Sequence, residues 1–263
     1  MKKFLCIALA VVLTLSMVAA FAACSKDDSK ETTTAATEAT TTEKETLVMA
    51  TNAEFPPYEF HQGDKIVGID AEIAQAIADK LGMELKIEDV QFDSIIPGVQ
   101  AKKYDMGMAG MTVTDERKES VDFSTSYAKG VQVIIVKEGS DIKSKDDLKG
   151  KKIGVQTSTT GDIYASGDFG EENITKFDNG AMATQALVAG KVDCVVIDNE
   201  PAKNYVKANA GLKILETSYI EEEYAICFNK ENPELTKKVN TALEELIADG
   251  TVKTIIDKYI KAD

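Results

Sequence analysis

A single histidine, His61, stands among 263 residues. One imidazole leaves little material for a histidine-based metal site or a Ser/His/Asp triad. Cysteine is almost as scarce, with four in the whole chain. Cys6 and Cys24 precede the globular part, and Cys194 and Cys227 each lie inside an apolar run, "DCVVI" and "AICF". Small core residues are the expectation there, with a disulfide left open in an exported chain. Positive charge is in deficit. The 30 Lys and Arg against 44 Asp and Glu leave a net charge of −14. An acidic surface argues against nucleic acid and anionic lipid headgroups as partners. No "GxxxxGK[ST]" phosphate loop is present, so no ATP site of that kind is expected. Neither a cofactor nor a metal is expected.

What is present begins with a leader. Lys2 and Lys3 precede the apolar run "FLCIALAVVLTLSMVAAFAA", the layout of a signal peptide over residues 1–23. The run is long enough to be weighed as a membrane helix, but the polar stretch after it has no basic stop-transfer flank. "FAAC" at 21–24 resembles the lipobox of bacterial lipoproteins, with Phe21 where leucine is commoner. The resemblance implies that Cys24 becomes a lipidated (palmitate-bearing) N-terminus on the outer face of the cytoplasmic membrane. Loss of Lys2 and Lys3 would take the charge from −14 to −16. Residues 25–46 contain no Val, Ile, Leu or aromatic residue. Such a segment cannot bury enough surface to offset its ordering entropy, so residues 24–46 read as an anchored tether.

From Leu47 onward strands and helices alternate. "TLVMAT" reads as a strand, 52–65 as a loop rich in turn residues, and "GIDAEIAQAIADKLG" as a helix capped by Asp70 and stopped by Gly82. "ELKIEDV", "YDMGMAG", "VQVIIV", "KKIGV", "NITKF", "VDCVVI" and "YAICF" read as strands, with helices between most of them. "NPELTKKVNTALEELIADG" has a cap at Asn232 and proline at the first helical position. The class is α/β with mainly parallel sheets. "VQAKKYDMGMAG" (99–110) and "LVAGKVDCVVID" (187–198) run in step, which places Gly110 and Asp198 at equivalent strand ends. Ligands in open α/β sheets sit beyond the carboxyl ends of strands, so two such lobes would aim these residues into one cleft.

Three complementary groups fall at strand ends. Arg117, after Thr112, offers a bidentate fork for a carboxylate. "QTSTTG" (156–161) leads into a helix whose N-terminus favours an anion. Asp198 suits an ammonium. Together they fit a free α-amino acid. Taken singly, Arg117 could pair with Glu116 or Asp122, Asp198 and the threonines could cap helices, and Phe55, Tyr58 and Phe92 could be core aromatics.

"EFPPYEFHQGDKIVGIDAEIAQAIADKLG", "FDSIIPGVQAKKYDMGMAGMTVTDERKESVDFSTSY", "LKGKKIGVQTSTTG" and "GKVDCVVIDNE" resemble, in order and spacing, the blocks of family 3 solute-binding proteins, the amino-acid receptors of ABC importers, in their glutamine-binding flavour. The resemblance implies the type II periplasmic-binding-protein fold, two α/β lobes joined by two hinge strands. Lobe 1 would be 47–128 and 225–263, lobe 2 134–217, and the hinges 129–133 and 218–224. It implies that Arg117, with Thr112 and the backbone of Thr160 beside Thr159, holds the ligand carboxylate. Asp198, the Gly110 carbonyl and the Thr112 hydroxyl would hold the ammonium. Phe55 and Phe92 would sandwich the side chain, with Asn52 and Gln156 reading its end. Asn52 departs from the aspartate usual there and lacks the charge to pair a cationic side chain. A neutral polar ligand such as glutamine, or cystine, is therefore expected, with Glu54 keeping a cationic one open. The partners implied are a free L-amino acid and a permease with its ATPase subunits, and the chain is expected to be a monomer and not an enzyme. A sensory or adhesive receptor, or an enzyme resembling cyclohexadienyl dehydratase, are the rival readings on the same scaffold.

Overall fold

The computed structural model describes residues 44–216 and 218–261. The expected leader, Cys24 and most of the tether lie outside these residues. No helix among the described residues is long and apolar enough to cross a membrane.

In chain order the first elements are β1 (Thr46–Thr51), β2 (Glu54–Phe55), β3 (Glu59–Gln62), β4 (Lys65–Val67), α1 (Ile69–Leu81), β5 (Glu84–Asp89), α2 (Ile95–Gln100), β6 (Met106–Gly107), α3 (Asp115–Ser120) and β7 (Asp122–Phe123). β8 (Ala128–Lys137) leads into β9 (Ile153–Gln156), α4 (Thr160–Phe169), β10 (Ile174–Phe177), α5 (Gly180–Val188), β11 (Cys194–Asp198), α6 (Asn199–Ala208) and β12 (Leu212–Ile214). β13 (Ile220–Tyr224) returns to β14 (Cys227–Phe228), α7 (Pro233–Ala248) and α8 (Thr251–Tyr259).

Two sheets organise these elements. The first has the order β5-β1-β6-β14-β7, the second β10-β9-β11-β8-β12, with β13 also on β8. Both are mixed rather than mainly parallel. β1, β5 and β6 run parallel, as do β9, β10 and β11, whereas β14 is antiparallel to β6 and β8 to β11. The strands that break the parallel pattern are those by which the chain passes from one sheet to the other.

Side-chain alternation explains the layers. On β1, Leu47 and Met49 pack with Ile73, Ile77, Val239 and Leu243 of α1 and α7, while Ala50 faces Ile95 and Val99 of α2. On β11, Val195 and Ile197 meet Ala183, Leu187 and Ala202, and Cys194 and Val196 face the α4 side with Ala165. Both faces being covered, these strands read as continuous apolar runs. Each fully buried Leu, Ile or Met side chain contributes about 1.5–3 kcal/mol.

Several local expectations are corrected. Asp70 does not cap α1. Gly68 does, and the Asp70 carboxylate instead accepts from the Gly110 N–H and the Tyr127 hydroxyl, both at 2.8 Å. The expected loop 52–65 folds as the antiparallel sheet β2-β3-β4, turning at Gly63 with φ +63°. "YAICF" divides at Ala225 and Ile226 between β13 and β14. Thr46, which the tether and the expected strand "TLVMAT" share, pairs with Glu84 in β1. Cys194 and Cys227 are free, buried thiols in different sheets, and burial pushes each up to about 12.

Candidate ligand-binding cleft

The parallel strands of both sheets point their carboxyl ends at one another. Asn52 follows β1, Phe92 follows β5, Ala109 and Gly110 follow β6, and Gln156 and Asp198 end β9 and β11. They line a cleft of about 310 Å³ of empty space, together with Phe55, Thr112, Arg117, Thr159 and Thr160. All ten candidate residues thus face the same space. Two further residues line it that the sequence did not single out, Glu59 and Ala109.

In this lining Arg117 is 7% exposed. Thr114 caps α3 by accepting from the Arg117 backbone N–H, which sets the start of the side chain. The guanidinium then donates to the Thr112 carbonyl at 2.7 Å and, across the cleft, to the Ser158 carbonyl at 3.0 Å. Its carbon lies 5.4 Å from the centre of the Phe92 ring. Burial lowers its pKa, an effect opposed chiefly by the charge of Glu222. Facing it, Thr159 caps α4, and Thr160 is the first helical residue. First-turn N–H groups have no intrahelical partner, so this end suits a carboxylate.

The lining also holds acceptors. Asp198 is 7% exposed and accepts from the Tyr224 hydroxyl and from Gln132 Nε2 at 2.8 Å. Burial first, then the charge of Glu222, pushes its carboxyl up to about 7. Tyr224 reaches it by lying over Gly130, where an added Cβ would stand 2.2 Å from the Tyr224 hydroxyl oxygen. Gly110 has φ +53°, and a Cβ there would meet the Phe55 ring at 2.8 Å. A glycine is therefore required for the backbone to come this close to the cleft wall.

Elsewhere in the lining, Phe55 stacks on Tyr58 with ring centres 5.8 Å apart. Gln156 Nε2 donates to Asn52 Oδ1 at 2.9 Å across the cleft, and Asn52 Nδ2 donates to the Val90 carbonyl at 3.0 Å. Glu59 is fully buried beside Asp70. Burial and the Asp70 charge hold its carboxyl well above the usual range. Asp70 itself is pushed up to about 6 by burial. Glu54 is exposed and lies outside the cleft lining. Only its carbonyl bridges the sheets, accepting from the Tyr205 hydroxyl at 2.8 Å. Among the described residues no group of three or more His, Cys, Asp or Glu is placed to hold a metal.

Gln132, Glu59 and Tyr224 were not selected from the sequence. Gln132 carries a usable signal, a lone amide inside "VQVIIV", since a buried amide needs partners. Glu59 carries none beyond its place near two prolines.

Residues 47–262 match the family model described as bacterial extracellular solute-binding proteins, family 3. The chain belongs to that family. The arginine-binding extracellular protein ArtP of Bacillus subtilis (strain 168) is 32% identical over 268 residues, covering 100% of each chain. The L-cystine-binding protein TcyJ of Escherichia coli (strain K12) is 33% identical over 227 residues, 84% of this chain and 85% of that one. Among solved structures, an ancestral arginine-binding protein bound to glutamine superposes with a TM-score of 0.77 at 44% identity, covering 84% of this chain and 100% of that chain. These are binding proteins by name, not enzymes. The family 3 member described here has their fold, two α/β lobes of the type II periplasmic-binding-protein class with the cleft between them.

Proposed function

We propose that this protein is an extracytoplasmic receptor that closes on one free L-amino acid and delivers it to an ABC permease. The observation that carries this reading is that Arg117, the α4 N-terminus and Asp198 line a single cleft. A zwitterion satisfies both charges, and only when the two lobes meet. Residues 47–128 with 225–263 would form one lobe and 134–217 the other, with 129–133 and 218–224 as hinges. The ligand favours the closed form by bridging them.

The side-chain end supports a neutral polar ligand, glutamine first and cystine second. Asn52 and Gln156 offer amides there, burial holds the Glu59 carboxyl above its usual range, and Glu54 lies outside the lining. The arginine and cystine relatives and the glutamine-bound ancestral neighbour show how closely related clefts are named for different side chains. Anchorage through a lipid on Cys24 belongs to the same proposal.

Calorimetry of the purified protein against the twenty amino acids and cystine tests it. Binding of L-glutamine or L-cystine in preference to L-arginine is the expected result. Tighter binding of L-arginine or L-lysine overturns the ligand assignment, and no binding by any of them overturns the function.

A further inference from the structure

Asp198 is not held by the cleft wall alone. Gln132, on the strand that runs between the lobes, pairs directly with Asp198 in the β8–β11 ladder. Its single NH₂ group is shared between Asp198 Oδ2 at 2.8 Å and Glu222 Oε2 at 2.9 Å, with Thr160 Oγ1 farther away at 3.4 Å. Glu222 lies on β13, the return strand, opposite Gly130. It is 5% exposed, and among the described residues its second oxygen, Oε1, makes no hydrogen bond of ordinary distance and angle. Its neighbours Glu221 and Glu223 are exposed. Tyr224, two residues on, holds the other oxygen of Asp198. One buried amide thus ties two buried carboxylates, one at the ligand's ammonium end and one on a hinge strand.

Two carboxylates so placed repel in a low-dielectric site unless a cation joins them. We propose, on the binding reading above, that Glu222 and Gln132 are positioning residues of the ammonium end, with Glu222 adding negative potential at Asp198 and Gln132 holding the two carboxylates together. The ammonium of an entering amino acid then relieves a repulsion that spans the hinge strand and the lobe 2 wall. Closure is favoured by the charge common to every amino acid, not by the side chain.

The other groups around the pair set the background. Tyr224 and Arg117 face both carboxylates. Asp198 also faces Tyr58 from the β2–β3 turn, Tyr205 from α6 and Glu59 from β3. Glu222 faces Tyr164 of α4. The tyrosines stay neutral and Arg117 stays charged near pH 7, so Glu222, the strongest influence on Asp198 after burial, is the neighbour whose removal changes it most.

The test is calorimetry between about pH 5 and pH 8, with L-glutamine, L-cystine and L-arginine as probes, on wild type, Glu222→Gln, Gln132→Met and Glu223→Gln. An ammonium binds ionised Asp198, so wild-type affinity falls as pH drops through about 7. Glu222→Gln moves that acid limb down by about one pH unit and weakens binding at pH 8. Gln132→Met removes a donor to the carboxylate and moves the limb up. Glu223→Gln makes the same charge change on the exposed face and leaves the profile in place. Opposite shifts in the two buried variants are the signature, because general loosening moves both the same way. Coincident profiles, or shifts of the same sign, overturn the inference while wild-type binding stands. Should Glu222→Gln not fold, the upward shift in Gln132→Met against Glu223→Gln decides alone. Failure of the wild type to bind any amino acid removes the underlying reading as well.

Discussion

On the proposed function, binding turns on Arg117 and Asp198, and each is buried with its partners already fixed. Truncating one partner of a buried charge pair costs about 2–5 kcal/mol. Arg117→Ala and Asp198→Ala are each expected to weaken amino-acid binding by about two orders of magnitude or more and to abolish the ligand-induced rise in melting temperature at millimolar ligand. A wild-type shift in either removes that residue from the site. Asn52 is the complementary case. Its Oδ1 accepts from Gln156 in the cleft, and a carboxylate there would supply the missing charge. Asn52→Asp is expected to raise L-arginine affinity relative to L-glutamine, read as a ratio of Kd values, by about tenfold, the scale of one charge-assisted hydrogen bond. At this scale Gly110, Arg117, Asp198 and the "QTSTTG" turn were legible because each falls at or beyond a strand end and carries a group an amino acid needs, whereas Asn52, Phe55, Phe92 and Gln156 came from the family resemblance. Glu59 and Glu222 were not, because an acid buried by tertiary packing looks, in sequence, like any surface acid. Asp70 was misread for the same reason. The local pattern offered a cap, but the carboxylate reaches Gly110 forty residues away.

Elements were legible where a periodic run was long, as in α1 and α7, and less so where the chain passes between the sheets. β8 extends from Ala128 to Lys137, beyond the apolar run "VQVIIV", because Ala128 to Gln132 find partners on β13. No window of sequence shows that pairing, since its partner lies about ninety residues on. The same two strands carry a testable close approach. Gly130 leaves the space through which the Tyr224 ring reaches Asp198. Gly130→Ala must displace the ring and lose its hydrogen bond to a charged group, worth about 1.5–3 kcal/mol. Amino-acid affinity is expected to fall about tenfold or more. Tyr224→Phe should weaken binding by a similar factor without crowding the backbone. If Gly130→Ala binds like wild type, the tyrosine is not needed to fix Asp198.

For the whole molecule, the buried carboxyls make folding and binding respond to pH in opposite directions. Asp198 and Asp70 are pushed up to about 7 and about 6, and Glu59 lies well above its ordinary value, all mainly by burial. In the unfolded chain such groups titrate near pH 4. Between those values the folded state binds more protons than the unfolded state. Stability of the ligand-free protein therefore falls as pH rises through this window, and is greatest on its acid side. A surface at −14 adds to the trend, since self-repulsion grows as carboxyls ionise. On the proposed function binding runs the other way, because a ligand ammonium would need Asp198 ionised. The ligand-free melting temperature should be several degrees higher at pH 5 than at pH 8, at about 2–4 °C per kcal/mol for a chain of this size. The increment added by saturating amino acid should be larger at pH 8 than at pH 5. Two melting curves at each pH, with and without L-glutamine or the tightest-binding amino acid, read both trends together. An increment that stays constant with pH would mean that Asp198 does not receive the ammonium. A ligand-free melting temperature that rises toward pH 8 would mean that these three carboxyls are ionised in the folded protein and paired with cations.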